Sequence, residues 1–523
     1  MACNSGNCQS NCYQNEQVAQ DGSIPAPTTC CSDDGANNQQ QQGVCLKCKV
    51  SPPISSGGGG SGDEARFCGD CFRTNLFGKF RLAVTSHAMI TPSDNVLVAF
   101  SGGVASRVAL QFVHDMQQRA QRNYEASKDR SLPVFGVGVA FVDESTVCSI
   151  SNDEVEEAIQ EMKSTVLELA PPVKQFHVVP SVSLYSSGSS DEKDRLMKLI
   201  GAVDDVTGKD DFLMHLRMWA FQKVASENGY TKLVLGLCTS RIACHVIAAT
   251  VKGQGYSLSA DIQYVDARWQ VPIVLPLRDC TSQELNILCR IDGLKTLQLV
   301  NDHPSGINGL ISSFVHLLQE ENSSRESTIV RTAGKLTPFH FNRVSEINDS
   351  SVPLATLRRQ KRYNLKPQES ISSESFCPIC NSPVINSDLP SCDSLKPFKF
   401  SEFAASCCPS CQFQILPQDQ SSMKEFYSLL PEGLVSRSKH KDNDNLDMLR
   451  EQVQDCLLSN SDDETNSSKR NALSRLVFFL HGNGSFSSSP STSCFARSDD
   501  YYMVQLPVMI LLYIDPITDT SFN

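Results

Sequence analysis

Nothing in this 523-residue sequence is apolar for long enough to cross a bilayer. The one long apolar run near an end, Val504 to Ile514, is interrupted by Pro507 and falls well short of the roughly 20 residues a membrane helix needs. No basic segment followed by an apolar core opens the chain, so no secretory signal is expected. Positive charge is in the minority. The 46 Lys and Arg against 58 Asp and Glu leave a net charge of −12 and a pI near 5.4. That balance argues against a surface coated for non-specific nucleic-acid binding, though not against a local basic groove. Tryptophan is scarce too, and Trp219 and Trp269 are expected in the core rather than as stacking platforms for bases.

What the chain does have is cysteine, 22 residues of it. Without a secretory context a disulfide framework would sit in the wrong compartment, and Cys-x-x-Cys pairs read as metal ligands. "CLKC" (Cys45 to Cys48) and "CGDC" (Cys68 to Cys71) flank a Gly/Ser stretch. Their interval, residues 49 to 67, falls within the roughly 15–20 residue spacing of structural zinc sites. Two knuckles then aim four thiolates at one Zn²⁺, and a closed four-sulfur shell leaves no place for substrate, so the expected role is structural. A second set comes late in the chain, "CPIC" (Cys377 to Cys380) and "CCPSC" (Cys407 to Cys411). It reads as a zinc ribbon on Cys377, Cys380, Cys408 and Cys411, with Cys392 and Cys407 as competing donors. Cys3, Cys8, Cys12, Cys30 and Cys31 are irregularly spaced in a Gln-rich tail, residues 1–44, expected to be disordered.

Between the two sets, apolar strands alternate with helical patterns. "VLVAF" (Val96 to Phe100), "VFGVGVAFV" (Val134 to Val142), "FHVVP" (Phe176 to Pro180), "KLVLGL" (Lys232 to Leu237) and "VPIVLPL" (Val271 to Leu277) read as buried strands. Helices are expected over 104–122, 152–170, 210–228, 241–251 and 282–291, with Gly229 as a C-terminal stop and a cap at Ser282. Continuous apolar strands separated by helices imply a doubly wound, parallel α/β sheet covered on both faces. The region after residue 305 looks polar and Ser-rich, with a basic cluster at Arg358, Arg359, Lys361 and Arg362. Those four are candidate contacts to tRNA phosphates, and a solvated linker face is the plainer alternative. His303, in "NDHPSGIN", sits in a turn set by Pro304 and Gly306.

The first strand runs straight into "SGGVAS", Ser101 to Ser106. Gly102 and Gly103 let the backbone turn sharply towards an anion, Ser101 and Ser106 add hydroxyls, and the following helix offers its N-terminus. No Lys-Ser or Lys-Thr follows the glycines, so this is not a Walker A loop. Taken alone, six such residues suit a tight turn as well as a phosphate site.

Their order along the chain says more. The Cys pairs, this loop, "HPSGINGLISSF" (His303 to Phe314), "RTAGKLTP" (Arg331 to Pro338) and the second Cys set occur in one series. The series resembles the tRNA 2-thiolation proteins of the PP-loop ATP pyrophosphatase superfamily. Within them it is similar to the non-catalytic-looking subunit family of the eukaryotic wobble-uridine thiolase. The resemblance covers about residues 45–436 and leaves out 462–523. It implies an α/β domain of the PP-loop, or adenine-nucleotide α-hydrolase-like, type over 91–340. A zinc module over 45–90, a basic linker over 341–375, a zinc ribbon over 376–436 and a tail over 437–523 complete the expected organisation.

The resemblance also implies a reaction. A cytoplasmic complex replaces O2 of the wobble uridine (U34) with sulfur in the tRNAs for Lys, Glu and Gln. ATP adenylates the carbonyl oxygen, and sulfur from a thiocarboxylated ubiquitin-related modifier displaces AMP. The implied partners are a catalytic thiolase subunit (as a heterodimer), the modifier and tRNA, with no membrane. The family loop reads Ser-Gly-Gly-x-Asp-Ser, whereas here Ala105 replaces the carboxylate that would organise Mg²⁺ and ATP. "GLCTSR" puts Thr239, Ser240 and Arg241 where catalytic relatives carry His and acidic residues. Cys148, Cys238, Cys244, Cys280 and Cys289 form no Cys-x-x-Cys pair. No catalytic residue is therefore assigned, and whether the loop still binds ATP stays open. A scaffolding subunit is the first reading. An active sulfurtransferase using Cys238 or Cys244, and a zinc-ribbon interaction protein with no RNA role, are the alternatives.

Overall fold

The computed structural model describes residues 44–54, 66–127, 133–148, 150–185, 191–297, 306–322, 324–336, 375–384 and 399–439, with Asn342 and Leu354 as isolated positions. The basic cluster, His303, Cys392, Val504 to Ile514 and nearly all of the expected tails and linker lie outside them.

Strand β1 (Asn95–Ala99) shows why an unbroken apolar run was needed. Val96 and Val98 point into one core and Leu97 and Ala99 into another, because successive side chains leave a strand on opposite faces. The other strands are β2 (Gly136–Asp143), β3 (Gln175–Pro180), β4 (Lys232–Val234), β5 (Val265–Asp266) and β6 (Ile273–Val274). They form one sheet in the order β3-β2-β1-β4-β6-β5. All neighbours run parallel except β5 with β6. Val98 pairs with Val139 on one side and Val234 on the other. The chain winds outward from β1 through β2 to β3, then returns to place β4 against β1, so the switch point lies between β1 and β4.

One face carries α1 (Gly69–Ser86), α2 (Val104–Ala126), α3 (Asn152–Glu168) and α8 (Ser282–Asp292). The other carries α5 (Val206–Glu227), α6 (Thr239–Val251) and α7 (Gly255–Asp261). Two further helices, α9 (Gly306–Glu321) and α10 (Ser324–Ala333), join this second face through Ile311, Val315, Val330 and Ala333. The sequence reading had treated that region as polar. A few well-spaced apolar residues suffice for the inner face, and the outer face mixes Ser and charged residues with exposed Leu310, Phe314 and Leu317. α8 is capped by Thr281 rather than Ser282: Thr281 Oγ1 accepts from Glu284 N–H (3.1 Å), and Glu284 Oε2 accepts from Thr281 N–H (2.9 Å). Gly229 is left-handed (φ 69°), one residue past the cap of α5, as its expected role requires. Among the described residues no helix is long and apolar enough to cross a membrane.

The C-terminal Cys region packs onto the sheet domain. It comprises a hairpin of β7 (Ser375–Phe376) and β8 (Pro383–Val384), then α11 (Lys399–Ser406), α12 (Pro409–Gln414), α13 (Gln420–Leu429) and α14 (Glu432–Lys439). With α4 (Glu192–Gly201) and α5 it builds a third core containing Leu196, Leu199, Phe212, Phe403 and Phe426. The Phe212 and Phe426 ring centroids lie 5.8 Å apart. α5 comes close enough that a methyl group on Gly208 would run into the Gln414 backbone carbonyl. Gly208→Ala therefore destabilises this joint, by about 1–3 kcal/mol as for other overpacked contacts. A lower denaturant midpoint with an unchanged slope is the expected readout, and an unchanged midpoint would show that the joint yields freely.

Candidate functional site

The two Cys groups are built alike. In the first, Lys49 N–H donates to the Cys45 carbonyl (2.9 Å) and Lys49 takes a left-handed φ of 56°, closing a knuckle around Cys45 and Cys48. Cys68 then caps α1, and Cys71 rides on its first turn. In the second, Asn381 N–H donates to the Cys377 carbonyl (2.9 Å) with a φ of 59°. Cys408 caps α12, Pro409 occupies its first turn, and Cys411 follows. Each site thus pairs one knuckle with one helix N-terminus, where two knuckles were expected. The helix adds its dipole to the stabilisation of thiolates.

Within each group the four sulfurs lie within 4.8 Å of one another. Cys48 Sγ and Cys68 Sγ are 3.7 Å apart, and Cys380 Sγ and Cys408 Sγ 3.5 Å. Four sulfurs at about 2.3 Å from one tetrahedral Zn²⁺ would be about 3.8 Å apart. The donors therefore fit a single ion, and they stand too close together to surround a multi-iron cluster. The thiols also answer to each other electrostatically. Burial opposes ionisation of Cys45, but backbone hydrogen bonds from Cys48, Cys68 and Lys47 outweigh it and bring its pKa down to about 6. Burial and the neighbouring Cys68, Cys45 and Cys48 push Cys71 up to about 12. Four thiolates at this spacing need a compensating cation. Cys407 turns its thiol to the Phe403 carbonyl (3.4 Å), outside the set of four.

The loop after β1 keeps its turn and is braced by the protein's own contacts, with Ser101 exposed and residues 103–105 half-buried. Ser101 N–H donates to Ser106 Oγ (3.3 Å), and Ser106 Oγ donates to the Gly103 carbonyl (2.9 Å). Gly102 is left-handed (φ 80°), and its carbonyl accepts from Leu297 N–H (2.9 Å). A Cβ on Gly102 would lie 2.9 Å from Leu297 Cβ. From the β4 side, Gly236 approaches so closely that a Cβ there would be 2.7 Å from Ser106 N. Val104 and Ala105 pack against the first core, so position 105 faces apolar neighbours. "GLCTSR" is tied down as well. Thr239 Oγ1 donates to the Arg278 carbonyl (2.7 Å), Ser240 Oγ accepts from Ser282 N–H (3.0 Å), and Cys238 Sγ lies 3.2 Å from Ser282 Oγ. Nothing local in the sequence signals the contact of Leu297 with Gly102.

Burial pushes Cys244 and Cys289 each up to about 11, and raises Cys280 and Cys148 too. Among the described residues, groups of three or more metal-ligating side chains gather only at the two Cys sites. Trp219 and Trp269 pack on each other, with centroids 4.8 Å apart, and serve the core.

Metal analysis of protein purified under reducing conditions should give two zinc ions per chain, and Cys68→Ser or Cys411→Ser should each remove one. A content below one zinc in the unaltered chain would refute both sites. Native protein at neutral pH should leave Cys238, Cys244, Cys280 and Cys289 unalkylated by iodoacetamide until denaturant is added. Rapid labelling of Cys244 in the native state would contradict its raised pKa.

No family model matches the sequence. The chain is 57% identical over 459 residues, 88% of its length and 98% of the relative's, to Arabidopsis thaliana cytoplasmic tRNA 2-thiolation protein 2. It is 49% identical over 422 residues to the protein of that name from Oryza sativa subsp. indica, covering 80% of this chain and 90% of the relative. The human protein of that name is 25% identical over 357 residues, 56% of this chain and 67% of that protein. Among solved structures, the U34-tRNA thiolase NcsA from Methanococcus maripaludis with its 4Fe–4S cluster aligns over 60% of this chain and 95% of its own. That alignment has 16% identity and a TM-score of 0.43, a likeness too low to carry weight. The extent and identity of the plant matches place this chain in the cytoplasmic tRNA 2-thiolation protein 2 family.

Proposed function

We propose that this chain is the non-catalytic partner of a catalytic PP-loop subunit in cytoplasmic 2-thiolation of the tRNA wobble uridine. The names of its relatives supply the reaction. The observation that supports the division of labour is the loop Ser101–Ser106, closed by Leu297 on one side and Gly236 on the other.

Adenylation of the uridine O2 makes a leaving group of AMP and needs a carboxylate to hold Mg²⁺ on the triphosphate. Ala105 offers none, and its apolar surroundings would penalise one. The displacement step needs a sulfur nucleophile or a thiol to relay it. A buried thiol with a pKa near 11, as at Cys244, is almost wholly protonated at neutral pH. The chemistry therefore belongs to the partner, which receives sulfur from the thiocarboxylated modifier. This chain contributes its fold. Zn²⁺ at Cys45, Cys48, Cys68 and Cys71, and at Cys377, Cys380, Cys408 and Cys411, fixes the two ends of the α/β body. Arg358, Arg359, Lys361 and Arg362 supply positive charge for tRNA phosphates in an otherwise acidic protein. In the rival reading, an active sulfurtransferase, this chain alone turns over ATP.

Reconstitution separates the two. The chain alone should release no AMP from ATP and tRNA, and Ala105→Asp should not create that activity, because a carboxylate restored to a braced loop has no nucleotide to organise. With the catalytic subunit, thiolated tRNA should form. Thiolation by this chain alone would overturn the proposal. Replacing the four basic residues by Glu should weaken tRNA binding at least tenfold and flatten its salt dependence, in line with the loss of phosphate contacts. Unchanged binding would remove the cluster from the interface.

A further inference from the structure

A half-buried arginine stands beside the C-terminal Cys group, and among the described residues it has no carboxylate to pair with. Arg437, on α14, lies flat over the Trp219 ring, 4.1 Å from guanidinium carbon to ring centroid. Its Nη2 donates to Asn381 Oδ1 (2.6 Å), while its Nε is buried without a partner. Burial works against its charge, and the opposing influences are the thiols of Cys377 and Cys380. Among the described residues no Asp or Glu forms an ion pair with it. A guanidinium whose Nε is shut off from water and from any partner gains from an anion nearby. Zn²⁺ with four thiolates carries two net negative charges and would meet that need.

The same arginine reaches the knuckle that shapes the site. Asn381 is the left-handed residue closing the Cys377–Cys380 turn, and it is 0% exposed. Its Nδ2 donates to the Arg268 carbonyl (3.1 Å). Arg268 is itself gripped by Asp261 and by Asp266 (2.6 Å). The next contact is Trp219 Nε1, donating to the Ile379 carbonyl (2.8 Å). Knuckle and α/β body are thus joined by hydrogen bonds that run through Asn381 and the Trp219–Arg437 stack. The first Cys group has a different neighbourhood: Cys48 and Cys71 are both partly exposed, against Cys380 alone in the second group, and the residue closing its knuckle is Lys49.

We propose that Arg437 is the charge-compensating residue of the C-terminal metal–thiolate centre, that with Asn381 it is a positioning pair holding the knuckle to the α/β domain, and that the two metal sites therefore differ in lability. The proposal rests on the reading of both Cys groups as zinc sites. If wild type contains no zinc at Cys377–Cys411, that reading fails before this one is tested.

The test is zinc release from the full chain to a chromophoric chelator, with each site identified by alkylation of Cys45 or Cys377 and mass spectrometry. Wild type should lose zinc in two phases, Cys45 becoming reactive first. Arg437→Gln and Asn381→Ala should each speed the slow phase and the labelling of Cys377 by about 10- to 100-fold, the usual effect of removing a ligand's outer partner. The fast phase should not change. Arg437→Lys, which keeps the charge but loses the planar fork and the ring stack, should fall between. In Co²⁺-loaded protein, Arg437→Gln should also shift the sulfur-to-metal charge-transfer band of one site only. Release at wild-type rates in both variants would overturn the proposal. So would equal acceleration of both phases, which would mark Arg437 as a general stability residue.

Discussion

The close approach of Gly236 to the Ala105–Ser106 backbone sets the character of this molecule. It lies at the switch point of the sheet, where the crevice of a doubly wound fold usually admits a ligand. Here β1 and β4 deliver two pieces of main chain so near each other that a single methyl group would separate them. Leu297 closes the other side with a hydrogen bond to the Gly102 carbonyl. Val104 and Ala105, half-buried, pack against the first core. The loop serves as a joint between the first strand, the fourth strand and the segment after α8.

With the centre of the sheet closed, the distinctive chemistry of the chain sits at its ends. Each Cys group ties a knuckle to the start of a helix. The C-terminal one is built into a core shared with α4 and α5. Its metal would therefore stabilise the α/β domain as well as the short helices around it. The acidic Asp261–Arg268–Asp266 cluster, Asn381 and Arg437 carry that coupling through charge and hydrogen bonds, and Trp219 carries it through packing.

Much of this could be read from the sequence, for identifiable reasons. The strands were visible because burial on both faces demands unbroken apolar runs, as in Val96 to Phe100. The two Cys groups were visible because Cys-x-x-Cys spacing is set by local turn geometry. Missing were features fixed by distant partners. Nothing near Leu297 announces that it packs on Gly102. Helices α9 and α10 were missed because only Ile311, Val315, Val330 and Ala333 dock on the sheet, and the polar residues around them masked that spacing. The cap of α8 was placed one residue late because Thr281 and Ser282 are both capable caps, and only the reciprocal bond to Glu284 decides between them. Arg437 fell just beyond the expected end of the zinc ribbon, in a stretch whose charge reads as solvated. It is half-buried because Trp219, more than 200 positions away in sequence, offers it a ring.

The most direct measurement is hydrogen exchange at the Leu297 amide in the zinc-loaded chain, with and without saturating Mg-ATP. A self-braced loop predicts slow exchange in both conditions and no saturable nucleotide binding in a parallel titration. Stoichiometric Mg-ATP binding, with the Leu297 amide released from Gly102, would show that the loop opens to nucleotide and would contradict the account.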